Sequence, residues 1–270
     1  MTRRAMTKTL SGARMYARLA AVLAWTMALL PVQLVLIRRP GRAKRALPLR
    51  YWGGVARILG LELQVIGTPA ATDERPVLFV SNHTSWLDIV ALGAVLPGCF
   101  IAKADVGRWP CISAVARAGR TIFVSRARTG AGRERAELAE RLAAGDSLIL
   151  FPEGTTSDGA RVLPFRSSFL ALAETDPPPL IQPVTIVYDR MDSLPVCRRN
   201  RPRIAWYGDM DIASHYAELG RHDWRATIVL DDPIELDGGR KALTATLERQ
   251  IAARAAAIRQ GRYPGPFTKA

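Results

Sequence analysis

The sequence predicts an α/β fold, a sheet flanked by helices, entered through an apolar N-terminal segment with basic flanks. From Leu63 onward, short β-branched and aliphatic runs alternate with helical patterns, the signature of strands and helices in turn. Two polar loops rich in chemically competent side chains follow directly on two of those runs, where a buried strand gives way to a turn. Ahead of both lies the unbroken apolar stretch from Leu19 to Ile37. At 270 residues, 49% of them hydrophobic, the chain is long enough for one large α/β domain with an appendage.

The N-terminal stretch also explains the charge. The net charge of +14 suggests a nucleic-acid binder until its distribution is read. No Asp or Glu precedes Glu62, and residues 1–61 hold 12 of the 38 basic side chains. The remainder, 26 basic against 24 acidic, is nearly neutral. Basicity confined to the flanks of an apolar helix points to anionic membrane lipids rather than to nucleic acid. Leu19 to Ile37 would be roughly 28 Å long as a helix, close to the ~30 Å hydrocarbon core. Arginines stand on both sides of it, Arg14 and Arg18 before, Arg38, Arg39 and Arg42 after, so the positive-inside rule selects no orientation. No small-residue cleavage site follows, which argues against a signal peptide. A second apolar helix, Tyr51 to Gly60, suits a head-group boundary, and the simplest arrangement has both helices dip into one leaflet and return.

Strands are expected at Leu63–Ile66, Val77–Val80, Cys99–Ala102, Thr121–Ser125, Ser147–Phe151, Gln182–Tyr188, Arg203–Trp206 and Ala226–Leu230. Helices are expected at Trp86–Leu96, Pro110–Ala118, Arg133–Ala144, Arg166–Glu174 and Arg240–Arg259. The three cysteines, Cys99, Cys111 and Cys197, show no C-x-x-C spacing and have no histidine near them in sequence. Neither a disulfide framework nor a metal site is signalled, and a reducing compartment is expected.

The first polar loop, Ser81-Asn82-His83-Thr84-Ser85-Trp86-Leu87-Asp88, holds the first of only three histidines; His215 and His222 follow much later in polar surroundings. His83 is the obvious proton acceptor near neutral pH. Asp88 falls in the first turn of the following helix, where its carboxylate can meet the imidazole. Ser85-x-x-Asp88 fits a capping box equally well, with both side chains satisfying free amides.

The second loop reads Phe151-Pro152-Glu153-Gly154-Thr155-Thr156-Ser157. Gly154 permits close approach of a ligand, the Thr155, Thr156 and Ser157 hydroxyls and amides can cradle an oxyanion, and Glu153 can accept from substrate hydroxyls. An ordinary polar turn has the same composition. Arg126, at the end of its strand, is placed to meet a phosphate, as are Lys103 and Arg166; each also fits a solvated surface cation. Ser85 lacks a G-x-S-x-G elbow, which disfavours a serine hydrolase.

Taken together, Asn82-His83-x4-Asp88, Gly119-x-x-Ile122-Phe123-x-x-Arg126, Phe151-Pro152-Glu153-Gly154-Thr155 and Gln182-Pro183-Val184 resemble the four blocks of the glycerolipid acyltransferases, most like bacterial 1-acylglycerol-3-phosphate acyltransferases. The resemblance covers roughly residues 50–190. It implies a glycerolipid-acyltransferase-like α/β sheet and a membrane-bound enzyme that moves a fatty acyl chain from acyl carrier protein or coenzyme A to a lysophospholipid hydroxyl, without cofactor or metal. The implied catalytic pair is His83 and Asp88, with Arg126, Glu153, Gly154 and Thr155 positioning the acceptor and Lys103 and Arg166 adding charge. The chain departs from the family at Thr156, where members often carry Arg, and at Ser168, where they carry Gly. A lyso-ornithine lipid, which lacks phosphate, is therefore the alternative acceptor. The expected division is residues 1–61 as membrane anchor, 62–262 as catalytic domain and 263–270 as tail, at the cytoplasmic face of the inner membrane. A non-catalytic basic membrane-binding protein is the rival of another class; it predicts that residues 1–61 alone carry the function.

Overall fold

The computed structural model describes residues 3–71, 75–109, 112–124, 131–236, 238–265 and 268–269. Its strands are β1 (Leu61–Ile66), β2 (Val77–Ser81), β3 (Cys99–Lys103), β4 (Ile122–Val124), β5 (Leu148–Leu150), β6 (Leu180–Met191), β7 (Leu194–Pro195), β8 (Trp224–Leu230) and β9 (Thr268–Lys269). They form one sheet in the order β4-β3-β5-β2-β6-β8-β1-β9, with β7 paired to β6. From β4 to β6 all neighbours are parallel; β8 runs antiparallel to β6, and β1 parallel to β8. The C-terminal ends of β2 and β5 therefore lie side by side, with Val80 opposite Leu150, and the two polar loops leave the same edge of the sheet. The helices are α1 (Arg3–Ile37), α2 (Ala43–Leu59), α3 (Leu87–Gly93), α4 (Ile112–Ala118), α5 (Ala131–Ala143), α6 (Ile212–Leu219) and α7 (Gly239–Arg259).

Strand β2 shows why the sheet is covered on both faces. All five of its residues are buried, as the continuous apolar run requires of a central parallel strand. Phe79 points into a core with Val55 and Leu59 of α2 and Val90 and Leu92 of α3. Its neighbours Leu78 and Val80 point the other way, against Leu138 and Leu142 of α5 and Leu243, Leu247 and Ile251 of α7. Alternation at period two thus sorts one strand between two cores.

Helix α1 is amphipathic in the inverted sense. Residues Ser11–Ile37 are long and apolar enough to cross a membrane by length and composition. Its polar groups nevertheless turn inward. Arg18 donates to the Gly220 and His222 carbonyls at 3.1 and 2.7 Å and pairs with Asp223. Gln33 donates to the carbonyls of Lys44 and Ala118 at 3.0 and 2.9 Å. Every exposed position from Ala13 to Val35 is apolar, including Tyr16 at 67% and Met27 at 76% exposure. The helix lies along the domain with its hydrocarbon face outward, the opposite of a surface helix in water. Helix α2 packs beneath it through Gly54, where a Cβ would stand 2.5 Å from the Trp25 indole.

Three sequence expectations are corrected. Arg203–Trp206 is no strand: Pro202 has no amide to donate to a ladder, Arg201–Arg203 form a 3-10 turn, and the Trp206 amide donates to the Thr84 carbonyl at 2.9 Å. The expected helix at 166–174 is a 3-10 turn over Phe169–Glu174, with i+3 bonds such as Leu170 N–H to Ser167 O. His215 does not sit in polar surroundings; it is buried on α6, a helix the pattern reading missed, started by the Asp211 carboxylate accepting from the Ser214 amide at 2.9 Å. Within the expected tail, Thr268 and Lys269 pair with β1.

The α1–α2 contact yields a stability prediction. Gly54→Val forces the Trp25 indole out of its seat, and the overpacking lowers unfolding free energy by about 1–3 kcal/mol. Denaturation of the detergent-solubilised protein measures it.

Candidate active site

The first loop is built around a buried carboxylate. Asp88, fully buried at the start of α3, accepts four hydrogen bonds. Its Oδ2 receives the Thr84 and Ser85 amides at 2.7 and 3.0 Å and lies 2.7 Å from His83 Nδ1. Its Oδ1 receives the Tyr188 hydroxyl at 2.7 Å. The same oxygen thus meets the imidazole and the two amides ahead of the helix, whose N-cap is Trp86 with no side-chain cap bond rather than Ser85. With Nδ1 engaged by the carboxylate, Nε2 is left as the ring's proton acceptor. His83 stacks on Phe151, centroids 4.0 Å apart and planes 14° off parallel, with 17% of its side chain exposed. The imidazole is therefore fixed by stacking and by a hydrogen bond, with one edge open.

Tyr188 and Asn82 carry the arrangement across to β6. Burial, with Asp88 beside it, holds the Tyr188 phenol well above its ordinary pKa, so it stays a donor. The Asn82 amide donates to the Ile186 carbonyl and accepts from the Ile186 amide, both at 2.9 Å, copying a strand pair with a side chain. Trp86 Nε1–H donates to His215 Nδ1 at 2.9 Å. Burial pushes the His215 pKa down, which keeps that nitrogen an acceptor. Neither Tyr188 nor His215 was singled out from sequence. Tyr188 follows the apolar run Ile186-Val187 in β6, and its polar tip on a buried strand was the available signal.

Glu153 joins the two loops. Its Oε1 accepts the His83 amide at 2.6 Å and its Oε2 the Leu163 amide at 2.8 Å, and the Ser157 amide donates back to the His83 carbonyl at 2.9 Å. With both oxygens taken and the side chain buried, Glu153 ties one loop to the other; this corrects the expectation that it faces substrate hydroxyls. Gly154 adopts φ +68°, and a Cβ there would stand 2.9 Å from the Phe169 ring, so the turn accepts only glycine without rearrangement. Thr155 is exposed at the same edge. The exposed Arg166 approaches through its stem, 3.8 Å from that Cβ position. Lys103 ends β3 on this edge and pairs with Asp105. Arg126 lies outside the described residues. Among the described residues no group of three His, Cys, Asp or Glu side chains is placed to hold a metal.

Burial pushes the Glu153 carboxyl up to about 8, with Asp88 and Glu248 adding to the rise and the two backbone amides opposing it. A folded-state pKa raised from 4.5 means the native chain holds a proton that the unfolded chain has lost. This group's contribution to stability therefore falls as pH rises from 4.5 towards about 8, and levels off above. Thermal unfolding across that range detects the slope, which Glu153→Gln removes. The same variant is less stable at low pH by about 1–3 kcal/mol, because one amide oxygen cannot serve two backbone donors.

Comparison with known proteins places this geometry in a family. Residues 62–187 match the family model described as Acyltransferase. The lyso-ornithine lipid O-acyltransferase of Brucella abortus (strain 2308) is 36% identical over 250 residues, covering 89% of this chain and 93% of that protein. The 1-acyl-sn-glycerol-3-phosphate acyltransferase of Neisseria meningitidis serogroup B is 36% identical over 121 residues, covering 44% of this chain and 47% of that protein. Among solved structures, the 1-acyl-sn-glycerophosphate acyltransferase PlsC from Thermotoga maritima superposes with a TM-score of 0.68 at 20% identity, covering 97% of this chain and 100% of that one; at that identity the likeness is one of fold. With the family model spanning the strands that present His83 and Asp88, and a relative aligned over most of its length, the chain belongs to the acyltransferase family of enzymes.

Proposed function

We propose that the chain transfers a fatty acyl group from a thioester, carried by acyl carrier protein or coenzyme A, to the free hydroxyl of a lyso-ornithine lipid at the membrane surface. The observation that carries the reaction type is the open Nε2 edge of an imidazole held through Nδ1 by a buried carboxylate. His83 takes the acceptor hydroxyl's proton as the oxygen attacks the thioester carbonyl, and Asp88 stabilises the imidazolium. Collapse of the tetrahedral intermediate expels the thiolate, which takes the proton back from His83. The thioester is already activated, so no acyl-enzyme is required.

The oxyanion donors come from the second loop. In the first loop the His83, Thr84 and Ser85 amides are all committed to carboxylates, and in the second the Ser157 amide is committed to the His83 carbonyl. Thr155 and Thr156, which follow the left-handed Gly154, supply the amides, a contribution of about 3–4 kcal/mol.

Two observations favour the ornithine acceptor: Thr156 stands where members of the family often carry arginine, and the Brucella abortus relative, aligned over 93% of its own length, is a lyso-ornithine lipid O-acyltransferase. The second reading, 1-acylglycerol-3-phosphate giving phosphatidic acid, is favoured by the exposed Arg166 beside Gly154 and by the Neisseria relatives. The apolar outer face of α1 docks the enzyme against lipid tails, and the exposed arginines that follow it, Arg38 and Arg39, meet anionic head groups. The cysteines Cys99 and Cys197, both free thiols, suit the reducing, cytoplasmic side of the inner membrane.

Purified protein given acyl-carrier thioester with each lysolipid in turn is expected to acylate lyso-ornithine lipid; phosphatidic acid as the sole product selects the second reading. His83→Ala lowers turnover by about 10²–10⁴-fold while flotation with liposomes is unchanged. Near-normal turnover in that variant removes the base assignment. Reporter fusions at residues 1 and 45 are expected on the same side of the membrane, because Arg18 and Gln33 hold α1 to the domain; opposite sides would show a spanning helix.

A further inference from the structure

A cavity of about 250 Å³ lies behind the catalytic loop, between the end of β6 and the C-terminus of α7. Four arginines line it, Arg190, Arg201, Arg225 and Arg259, against one carboxylate, Asp189. Arg225 consumes that carboxylate, with Nε 2.9 Å from Oδ1, and Tyr263 donates to it at 2.7 Å. Arg190 is turned to the Ser193 carbonyl at 2.9 Å. Arg201 and Arg259 have no ion-pair partner among the described residues.

These two arginines converge on one glycine. Arg259 Nη1 donates to the Gly159 carbonyl at 3.4 Å. A Cβ on Gly159 would stand 3.2 Å from Arg201 Cδ and 3.1 Å from Thr84 Cγ2, so the guanidinium stems and the residue after His83 share one contact point. Burial and the nearby Arg201 depress the Arg259 pKa, with the exposed Asp158 opposing, which reports two like charges brought together out of water. An oxyanion between them relieves that repulsion and matches guanidinium geometry. Three further exposed arginines, Arg198, Arg199 and Arg203, flank Arg201 in sequence.

The side of the sheet selects the ligand. Helices α1 and α2 cover one face, and the apolar outer surface of α1 puts the bilayer there. Ile186, Tyr188 and Ile204 reach the cavity from the core under α2, but the helix that walls it is α7, through Ile258 and Arg259 on the opposite face, and no described residue of α1 or α2 lines it. A lysolipid is held in a bilayer, whereas a water-soluble thioester is presented from solvent. We propose that Arg201 and Arg259 form an oxyanion site for the phosphate of the acyl donor's phosphopantetheine arm, the portion common to coenzyme A and an acyl carrier protein. This rests on the thioester-dependent transfer proposed above.

Titration calorimetry on the full chain, with phosphopantetheine and phosphate-free pantetheine as probes, tests the site without turnover. The phosphate form is expected to bind at least about tenfold more tightly, and Arg201→Gln and Arg259→Gln each erase that difference. Each variant's thermal unfolding midpoint checks its fold, and Arg201→Lys, which keeps the charge, restores part of the preference. In turnover, both Gln variants raise KM for acyl-coenzyme A and acyl carrier protein donors and leave KM for the lysolipid in place. A rise for only one donor identifies the source of the phosphate. Equal binding of the two probes, or a rise in lysolipid KM alone, overturns the proposal, the latter assigning the arginines to the acceptor head group. Wild-type protein that prefers phosphopantetheine yet acylates no lysolipid would overturn the transfer reading and leave the site intact.

Discussion

Four donors converge on the Asp88 carboxylate, which is removed from water: two backbone amides, an imidazole and a phenol. An unpaired buried charge costs several kcal/mol, so the arrangement is close to all-or-none. Those donors come from the loop after β2 and from β6, a neighbouring strand, and the carboxylate itself from α3. Meeting its demands therefore fixes the loop, the helix start and the strand together, and the orientation of His83 follows as a consequence.

Glu153 makes the corresponding link between the loops. Both its oxygens accept backbone amides, one from each flank of the site, so the second loop is positioned by the same residue that carries the first loop's leading amide. Parallel pairing of β2 with β5 makes this possible, because only in that topology do both loops leave adjacent strand ends on one edge. Stacking of His83 on Phe151 adds an apolar wall, which keeps the ring flat against the second loop and leaves an edge for chemistry.

Helix α1 reverses the usual relation between polarity and burial. Arg18, Thr26 and the Gln33 amide nitrogen face the protein, where carbonyls, Asp223 and the Tyr51 hydroxyl pair with them, while leucine, alanine, methionine and valine face outward. In water such a surface would aggregate; against lipid tails it is neutral, and the inward polar groups gain strength from their low-dielectric setting. The helix is thus held to the catalytic domain by hydrogen bonds, and its apolar face is left outward. The reaction edge lies near the Arg14 and Arg18 end of α1, whose arginines pair with Asp223 just ahead of β8.

The α/β class, the position of β2 and β5, and the pairing of His83 with Asp88 could be read from the chain because each is local: strand runs of period two or full burial, a turn, and a partner five residues away. The apolar N-terminal segment was legible for the same reason, as an unbroken run between basic flanks. Contacts distant in sequence were settled only by folding. Tyr188 reaches Asp88 across a hundred positions, and Glu153 abandons its expected ligand role because two amides seventy and ten residues away claim its oxygens. Composition likewise gave no direction to α1's polar side chains, since which face meets protein is decided by where carbonyls and Asp223 happen to be presented. Periodicity and spacing record what a residue does with its near neighbours along the chain, whereas hydrogen-bond competition inside a closed sheet is a property of the assembled fold.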